Sequence, residues 1–245
     1  MDYSIIIPAF DEQVLIPKTL RHLREAMLAL PGRGEIVVVD NNSNDRTAEI
    51  AHQEGARIIF EPHNQISKAR NAGARAALGK YLIFLDADTL VPRSTLESAL
   101  RSLRTNRVVG GGAVLRLDRE LRASVRTLVL SWNWLSTTFG LAAGSFLFCR
   151  RDAWHQTGGF SEHVYAGEEV LFSRALKRWG RKRQLRFRVL DLDPVITSAR
   201  KLQWYGAPQL LWKLALPLCF PFAVRYRSLC SFWYRRPAAR LPEAA

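Results

Sequence analysis

Leu82-Ile83-Phe84-Leu85-Asp86-Ala87-Asp88-Thr89 runs four large apolar residues straight into two carboxylates set one residue apart. The apolar run is too short to show a helical face. A segment apolar on both sides suits a parallel strand covered by helices above and below. Ligands in open α/β sheets bind at the C-terminal ends of such strands. Two carboxylates there form a hard, oxygen-rich site that suits Mg²⁺ or Mn²⁺, which in turn would hold a diphosphate. The plain alternative is a strand followed by an acidic turn, and Asp-Ala-Asp alone does not decide between them.

The segments before this stretch repeat its form. Ser4-Ile5-Ile6-Ile7-Pro8 reads as a buried strand, followed by the loop Ala9-Phe10-Asp11-Glu12. Ile16, Leu20, Leu23, Met27 and Leu30 fall at steps of four and three, the stripe of an amphipathic helix that Pro31-Gly32 stops. Glu35-Ile36-Val37-Val38-Val39 is a second strand, and Asp40-Asn41-Asn42-Ser43-Asn44-Asp45 its loop. Asp45 or Thr47 can start a helix through His52. Arg57-Ile58-Ile59-Phe60 is a third strand, and an Ala-rich helix from Ser67 to Leu78 ends at Gly79. Strand and helix alternate, which predicts a mostly parallel, Rossmann-like sheet with helices on both faces. The polar loops then gather along one edge. Neither G-x-G-x-x-G nor a P-loop motif is present, so those phosphate cradles are excluded.

Downstream the pattern is less regular. Ser94 to Arg104 reads as a helix and Val108 to Leu117 as a strand weakened by Gly110-Gly111-Gly112. Residues 125–148 are rich in large apolar groups, and Gly144-Ser145-Phe146-Leu147-Phe148 reads as a strand. Gly158-Gly159-Phe160 and Gly167-Glu168-Glu169 precede a helix with Phe172, Leu176 and Trp179 inward, closed by Gly180.

A hydrophobic fraction of 48% over 245 residues supports a full core and argues against wholesale disorder. The net charge of +14 is concentrated at one end: thirteen Lys or Arg against three acids from Arg181 onward account for +10 of it. So localised a charge predicts an anionic partner for the tail: a membrane surface, a nucleic acid or a phosphate-bearing substrate. Cys149, Cys219 and Cys230 have neither metal-ligand nor disulfide-framework spacing, so a reducing compartment is expected. Met1-Asp2-Tyr3 leads into a strand with no basic n-region, and export through a cleavable signal is not expected.

Five of these segments, in order, resemble family 2 glycosyltransferases: Ser4 to Glu12, Asp40 to Thr47, Lys68-Ala69-Arg70-Asn71-Ala72-Gly73, Phe84 to Asp88, and Gly158-Gly159-Phe160 with Gly167-Glu168-Glu169. Together they cover roughly residues 4–180, and ordered joint occurrence is far more specific than any one motif. The resemblance implies a GT-A fold over residues 1–200, a nucleotide-sugar donor (a UDP- or GDP-sugar), Mn²⁺ or Mg²⁺, and inversion at the anomeric carbon. Two positions depart from the family pattern. The nucleotide loop usually carries two adjacent aspartates, and the second here is Asn41. The base motif is usually Glu-Asp, and here it is Glu168-Glu169.

The resemblance implies a role for each position. Asp86 and Asp88 are the metal residues, with Asp88 the direct ligand and Asp86 nearer the ribose and metal waters. Glu169 is the general base at the start of its helix. Glu168, with Gly144 and Gly159, belongs to the acceptor side. Asp40 accepts from the nucleotide base, and Pro8, Ala9, Phe10 and Glu12 line that pocket. Lys68, Arg70 and Arg200 bring positive charge to the donor. For each the plain alternative is structural: a turn acid, a helix-start acid or a solvated cation.

The remaining residues, 201–245, form a basic amphipathic segment. Leu210 to Val224 is fifteen residues long and holds Lys213, Pro217 and Pro221, too short and broken for a membrane span. Flanked by Arg225, Arg227, Arg235 and Arg236, it fits an interfacial segment on an anionic cytoplasmic leaflet, serving a lipid-linked hydroxyl acceptor or a cell-envelope glycan. The alternative is a hydrophobic helix packed on the catalytic domain. Two other functions compete: a basic nucleic-acid-binding protein, and a GT-A scaffold without activity. A nucleic-acid partner is disfavoured, because the first 180 residues are mildly basic and lack a recognition-helix or RNP pattern.

Overall fold

The computed structural model describes residues 1–119, 123–200, 224–230 and 234. The first four strands are β1 (Tyr3–Ala9), β2 (Gly34–Asp40), β3 (Arg57–Phe60) and β4 (Tyr81–Leu85). The helices between them are α1 (Ile16–Leu28), α2 (Thr47–Gln53) and α3 (Ile66–Ala76). After β4 come β5 (Thr89–Leu90), α4 (Arg93–Arg104), β6 (Val108–Leu117), α5 (Ala123–Phe139), β7 (Phe146–Arg150), α6 (Arg151–Thr157), α7 (Glu168–Arg181) and β8 (Arg186–Thr197).

The eight strands of the described residues form one sheet in the order β3-β2-β1-β4-β7-β6-β8-β5. β1 to β4 are parallel, β7 runs antiparallel to β4 and to β6, and β6 pairs in parallel with β8. The sheet is therefore parallel where the sequence alternates strand and helix, and mixed beyond. The loops after β1, β2 and β4 share one edge, as the alternation predicts.

The side chains of β1 show why the strands are apolar on both faces. Ile5 and Ile7 join α1 and α4 residues in one core; Ile6 joins α3 and α7 residues in the other. Each fully buried Leu or Ile side chain contributes about 1.5–3 kcal/mol. An N-cap contributes only about 1 kcal/mol, and α1, α3 and α4 have no side-chain cap hydrogen bond. Packing, rather than capping, holds these helices on the sheet.

Several boundaries shift from the sequence reading. α3 ends at Ala76, and the Gly79 N–H donates to Ser4 Oγ at 2.8 Å. β7 begins at Phe146, because the Ser145 carbonyl accepts from the Asp86 N–H and Gly144 lies in the preceding turn. α7 runs one residue past Gly180. The three glycines do not weaken β6: a Cβ on Gly111 would lie 1.8 Å from the Arg188 carbonyl oxygen, so glycine is what lets β8 approach. β5, α6 and β8 have no counterpart in the sequence reading.

Among the described residues, no helix is long and apolar enough to cross a membrane. The apolar run over 210–223, with Arg235 and Arg236, lies outside the described residues. Of the C-terminal residues that are described, Val224 and Tyr234 hydrogen-bond to the domain and Cys230 is buried, while 225–229 are exposed. The Tyr165 N–H donates to the Val224 carbonyl at 2.6 Å, and the Ile66 N–H to Tyr234 Oη at 3.3 Å.

Candidate active site

The loops after β1 and β2 are laced together. Asn41 N–H donates to the Ala9 carbonyl at 2.8 Å, Glu12 N–H to Thr47 Oγ1 at 2.7 Å, and Asn44 N–H to Asp11 Oδ1 at 2.8 Å. Pro8 and Ala9 stand beside Val39 and Asp40 in the sheet register, with Phe10 next in chain. Asp40 is buried, and its Oδ1 accepts the Ser43 N–H at 3.1 Å, which holds the loop in a turn. Asn41 has its own task. Its side-chain amide donates to the Glu61 and His63 carbonyls at 3.1 and 2.7 Å, tying this loop to the segment after β3. A carboxylate has no proton to donate there, so an amide suits the position better than a second aspartate.

Asp86 and Asp88 leave β4 as expected, and both face guanidinium groups. Asp86 Oδ1 accepts from Arg70 Nη2 at 3.1 Å. Asp88 Oδ2 accepts from Arg200 Nη2 at 3.3 Å, and the same Arg200 nitrogen donates to Glu12. Glu12 thus points its carboxylate at Arg200 rather than simply lining a base pocket. Among the described residues no three His, Cys, Asp or Glu side chains come together as a metal-holding group. The residues that could hold Mg²⁺ or Mn²⁺ are the two carboxylates Asp86 and Asp88, since such ions take one or two carboxylates and complete their shell with phosphate oxygens and water.

Arg70 sits at the centre. Its side chain is 4% exposed on α3. Nη1 donates to Glu168 Oε1 at 2.8 Å, and Nη2 donates to Asp86 and to the Gly144 carbonyl at 2.8 Å. Its guanidinium lies 5.3 Å from the ring centroid of Phe160. Arg70 pairs with protein carboxylates and joins α3 to Asp86 and to the start of α7. Lys68, half-buried on the same helix, has no ion-pair partner among the described residues and is the freer cation.

Phe84 of β4, Phe160 and Phe172 of α7 pack edge-on or tilted, with ring centroids 4.4–6.4 Å apart. They fix the start of α7 against the end of β4, which sets Glu168 and Glu169 opposite Asp86. Glu168 is buried against Arg70. Burial, with the neighbouring Glu168 carboxylate second, pushes Glu169 up to about 8 against the pull of Arg70. The helix dipole that would keep Glu169 acidic is outweighed.

Two side chains that the sequence reading gave no role also build this cleft. Asn71 donates to the Phe160 carbonyl at 2.8 Å and accepts the Phe160 N–H at 3.0 Å. Gln65 donates to the Glu162 and Val164 carbonyls. Together they clamp the loop before α7 to α3. Gly159 has φ +69°, and a Cβ there would lie 2.6 Å from Asn71 Oδ1, so the glycine serves the clamp. Gln65 and Asn71 flank and join the Lys68–Gly73 motif, and that adjacency was the signal available in the sequence.

The sheet order and the structural neighbours it superposes on define a GT-A fold. The model for glycosyl transferase family 2 matches residues 4–157, and the chain belongs to that family. It is 30% identical over 196 residues to an uncharacterized glycosyltransferase of Mycobacterium bovis, covering 78% of this chain and 83% of the relative. It is 34% identical over 110 residues to the dolichol-phosphate mannosyltransferase of Saccharomyces cerevisiae, covering 42% of this chain and 41% of that one. The mannosyltransferase PcManGT from Pyrobaculum calidifontis, solved with GDP-Man and Mn²⁺, superposes with a TM-score of 0.65 at 20% identity. That match covers 86% of this chain and 59% of PcManGT. Among curated relatives matched over most of this chain, it spans 60% of one and 83% of another.

Proposed function

We propose that this protein transfers a sugar, with inversion, from a nucleotide-diphosphate sugar to a hydroxyl acceptor. The observation that carries the proposal is the Arg70 bridge between Asp86, at the end of β4, and Glu168, beside Glu169 at the start of α7. It brings Asp86 and Glu168 to one arginine, which supports a reading with the diphosphate on the Asp86 side and the base on the Glu169 side.

Asp40 and the loop after β1 receive the nucleoside. Asp88, with Asp86 beside it, would hold a divalent cation, which when bound supplies Lewis-acid stabilisation to the departing diphosphate. Lys68 and Arg200 add positive charge on the diphosphate side. Glu169, ionised, takes the proton of the acceptor hydroxyl. The oxygen then forms a bond to the anomeric carbon from the face opposite the diphosphate, as the bond to the diphosphate oxygen breaks. A carboxylate with a raised pKa is the stronger base for this step. The acceptor we favour is a hydroxyl on a lipid-linked glycan; the dolichol-phosphate relative supports the lipid carrier and not the hydroxyl, and the basic segment 201–245 favours an anionic membrane surface beside it.

Asp88→Ala and Glu169→Gln test this reading in a sugar-transfer assay. Both variants should lose transfer by about 10²-fold or more. Wild-type transfer in both would refute the site.

A further inference from the structure

Helix α5 is apolar on both sides: Val125, Val129 and Trp132 are half-buried, yet large apolar side chains also stand in water among Ser131, Thr137 and Thr138. A surface helix normally turns its apolar stripe inward. Here Asn133 faces the sheet and grips β6, its Oδ1 accepting the Leu115 N–H at 3.0 Å and its Nδ2 donating to the Leu115 carbonyl at 2.9 Å. Ser136 is fully buried and donates to the Leu141 carbonyl. Outward stand Leu130, Trp134 and Phe139, 60%, 62% and 55% exposed, flanked by Leu128 and Leu135. The outward Thr137 hydroxyl turns back onto the Asn133 and Trp134 carbonyls and adds little polarity. Arg126 is the one ionisable side chain in the seventeen residues of the helix.

Cations bracket this apolar face. At its N-terminal end Arg126, Arg116, Arg119 and Lys18 line a cleft of about 850 Å³, together with Asp118, Asp191 and Leu130. Among the described residues Arg116, Arg126 and Lys18 make no ion pair. At its C-terminal end Lys177 Nζ donates to the Phe139 carbonyl at 2.7 Å, with Arg174 and Arg181 close enough to repel its charge. Apolar and aromatic groups between cations match the interface of an anionic bilayer: rings and leucines enter at headgroup depth, and the cations stay with the phosphates.

We propose that α5 is a membrane-docking helix that seats the protein on an anionic phospholipid surface, through Leu130, Trp134 and Phe139. Its position gives that seat a use. The chain leaves α5 at Phe139 and reaches Gly144, whose carbonyl accepts from Arg70, within five residues. Beyond the other end, Asp118 accepts the N–H of Ala199, the residue before Arg200. The docked face therefore borders both sides of the cleft. This purpose rests on the lipid-linked acceptor proposed above, but the docking itself does not.

The test is sedimentation of the full-length chain with vesicles of phosphatidylcholine, with and without phosphatidylglycerol. Wild type should bind the anionic vesicles, and Leu130→Asp with Trp134→Asp should bind roughly tenfold less or weaker still. Circular dichroism and nucleotide binding should stay unchanged, so a failed donor assay is told apart from failed docking. As a second measurement, Trp134→Cys in a Cys219→Ser background, carrying an environment-sensitive dye, should blue-shift on anionic vesicles, read against the equally labelled Cys219→Ser protein, whose Cys149 and Cys230 are buried. Equal binding by wild type and the double variant overturns the proposal, as does an unshifted dye. A dimer that the double substitution dissolves would assign the face to a second copy and overturn it as well.

Discussion

Arg70 Nη1 donates to Glu168 Oε1 at 2.8 Å, and the two side chains are 4% and 5% exposed. This buried pair joins α3 to α7, and through the second Nη it reaches Asp86. A buried pair adds little net stability, but removing one partner strands the other charge at a cost of about 3–5 kcal/mol. Arg70→Ala should therefore lower the urea midpoint strongly. Arg70→Lys should rescue only part of the loss, because an ammonium cannot serve Glu168, Asp86 and the Gly144 carbonyl in the same fork. An unchanged midpoint in Arg70→Ala would mean the pair is not buried as described.

Asn41 carries a departure from the family pattern, and its surroundings account for it. Asn41→Asp restores the usual residue, yet it replaces an amide donor to two carbonyls by a carboxylate in a buried position. The loss should be about 1–3 kcal/mol, visible as a lower melting temperature. Equal or higher stability would show that the Glu61 and His63 contacts carry no energy.

Glu169 predicts a pH profile. Its folded pKa of about 8 lies above the ordinary carboxylate value, through burial first and the Glu168 charge second. The base must be ionised, so transfer should rise with pH through the range around 8 and level off above it. In Glu169→Gln that limb should vanish along with most of the rate. The linked stability has the opposite sense: the folded chain holds this proton more tightly than the unfolded chain, so stability falls as pH rises from the unfolded pKa through the folded one. A rate independent of pH across this range would remove Glu169 as the base.

On the proposed reading, Arg200 competes with a divalent cation for Asp88. It bridges Asp88 and Glu12 across the mouth of the cleft. Arg200→Gln removes that competing charge. Calorimetric titration of the free protein should show Mn²⁺ binding tightened by roughly tenfold, while binding of a nucleoside diphosphate weakens. If both affinities stay unchanged, Arg200 faces neither the cation nor the diphosphate.

Much of this architecture is visible in the sequence, and the exceptions have physical causes. β1 to β4 are legible because each is an apolar run closed by a polar loop, and α1 because its stripe survives over four turns. α6 is missed because seven residues directly after a strand show no period. β8 is missed because it has no steady alternation: Arg186 and Arg188 are exposed at even positions, Asp191 and Asp193 at odd ones, and Leu192 between them is exposed too. At the cleft, residue types near Asp86 and Glu169 are legible from the motifs. The pairing of Arg70 with protein carboxylates is not, because residues 70, 86, 144 and 168 meet only when the sheet closes.

The central claim is that the edge beyond β4 binds a nucleotide sugar through Asp88. Titration of UDP-, GDP- and dTDP-sugars into the protein with Mn²⁺ tests it most directly, with Asp88→Ala run alongside. The account predicts that one of these donors binds wild type in a Mn²⁺-dependent manner and loses most of its affinity in Asp88→Ala. Equal binding by the two proteins, or binding of none of the three, would contradict it.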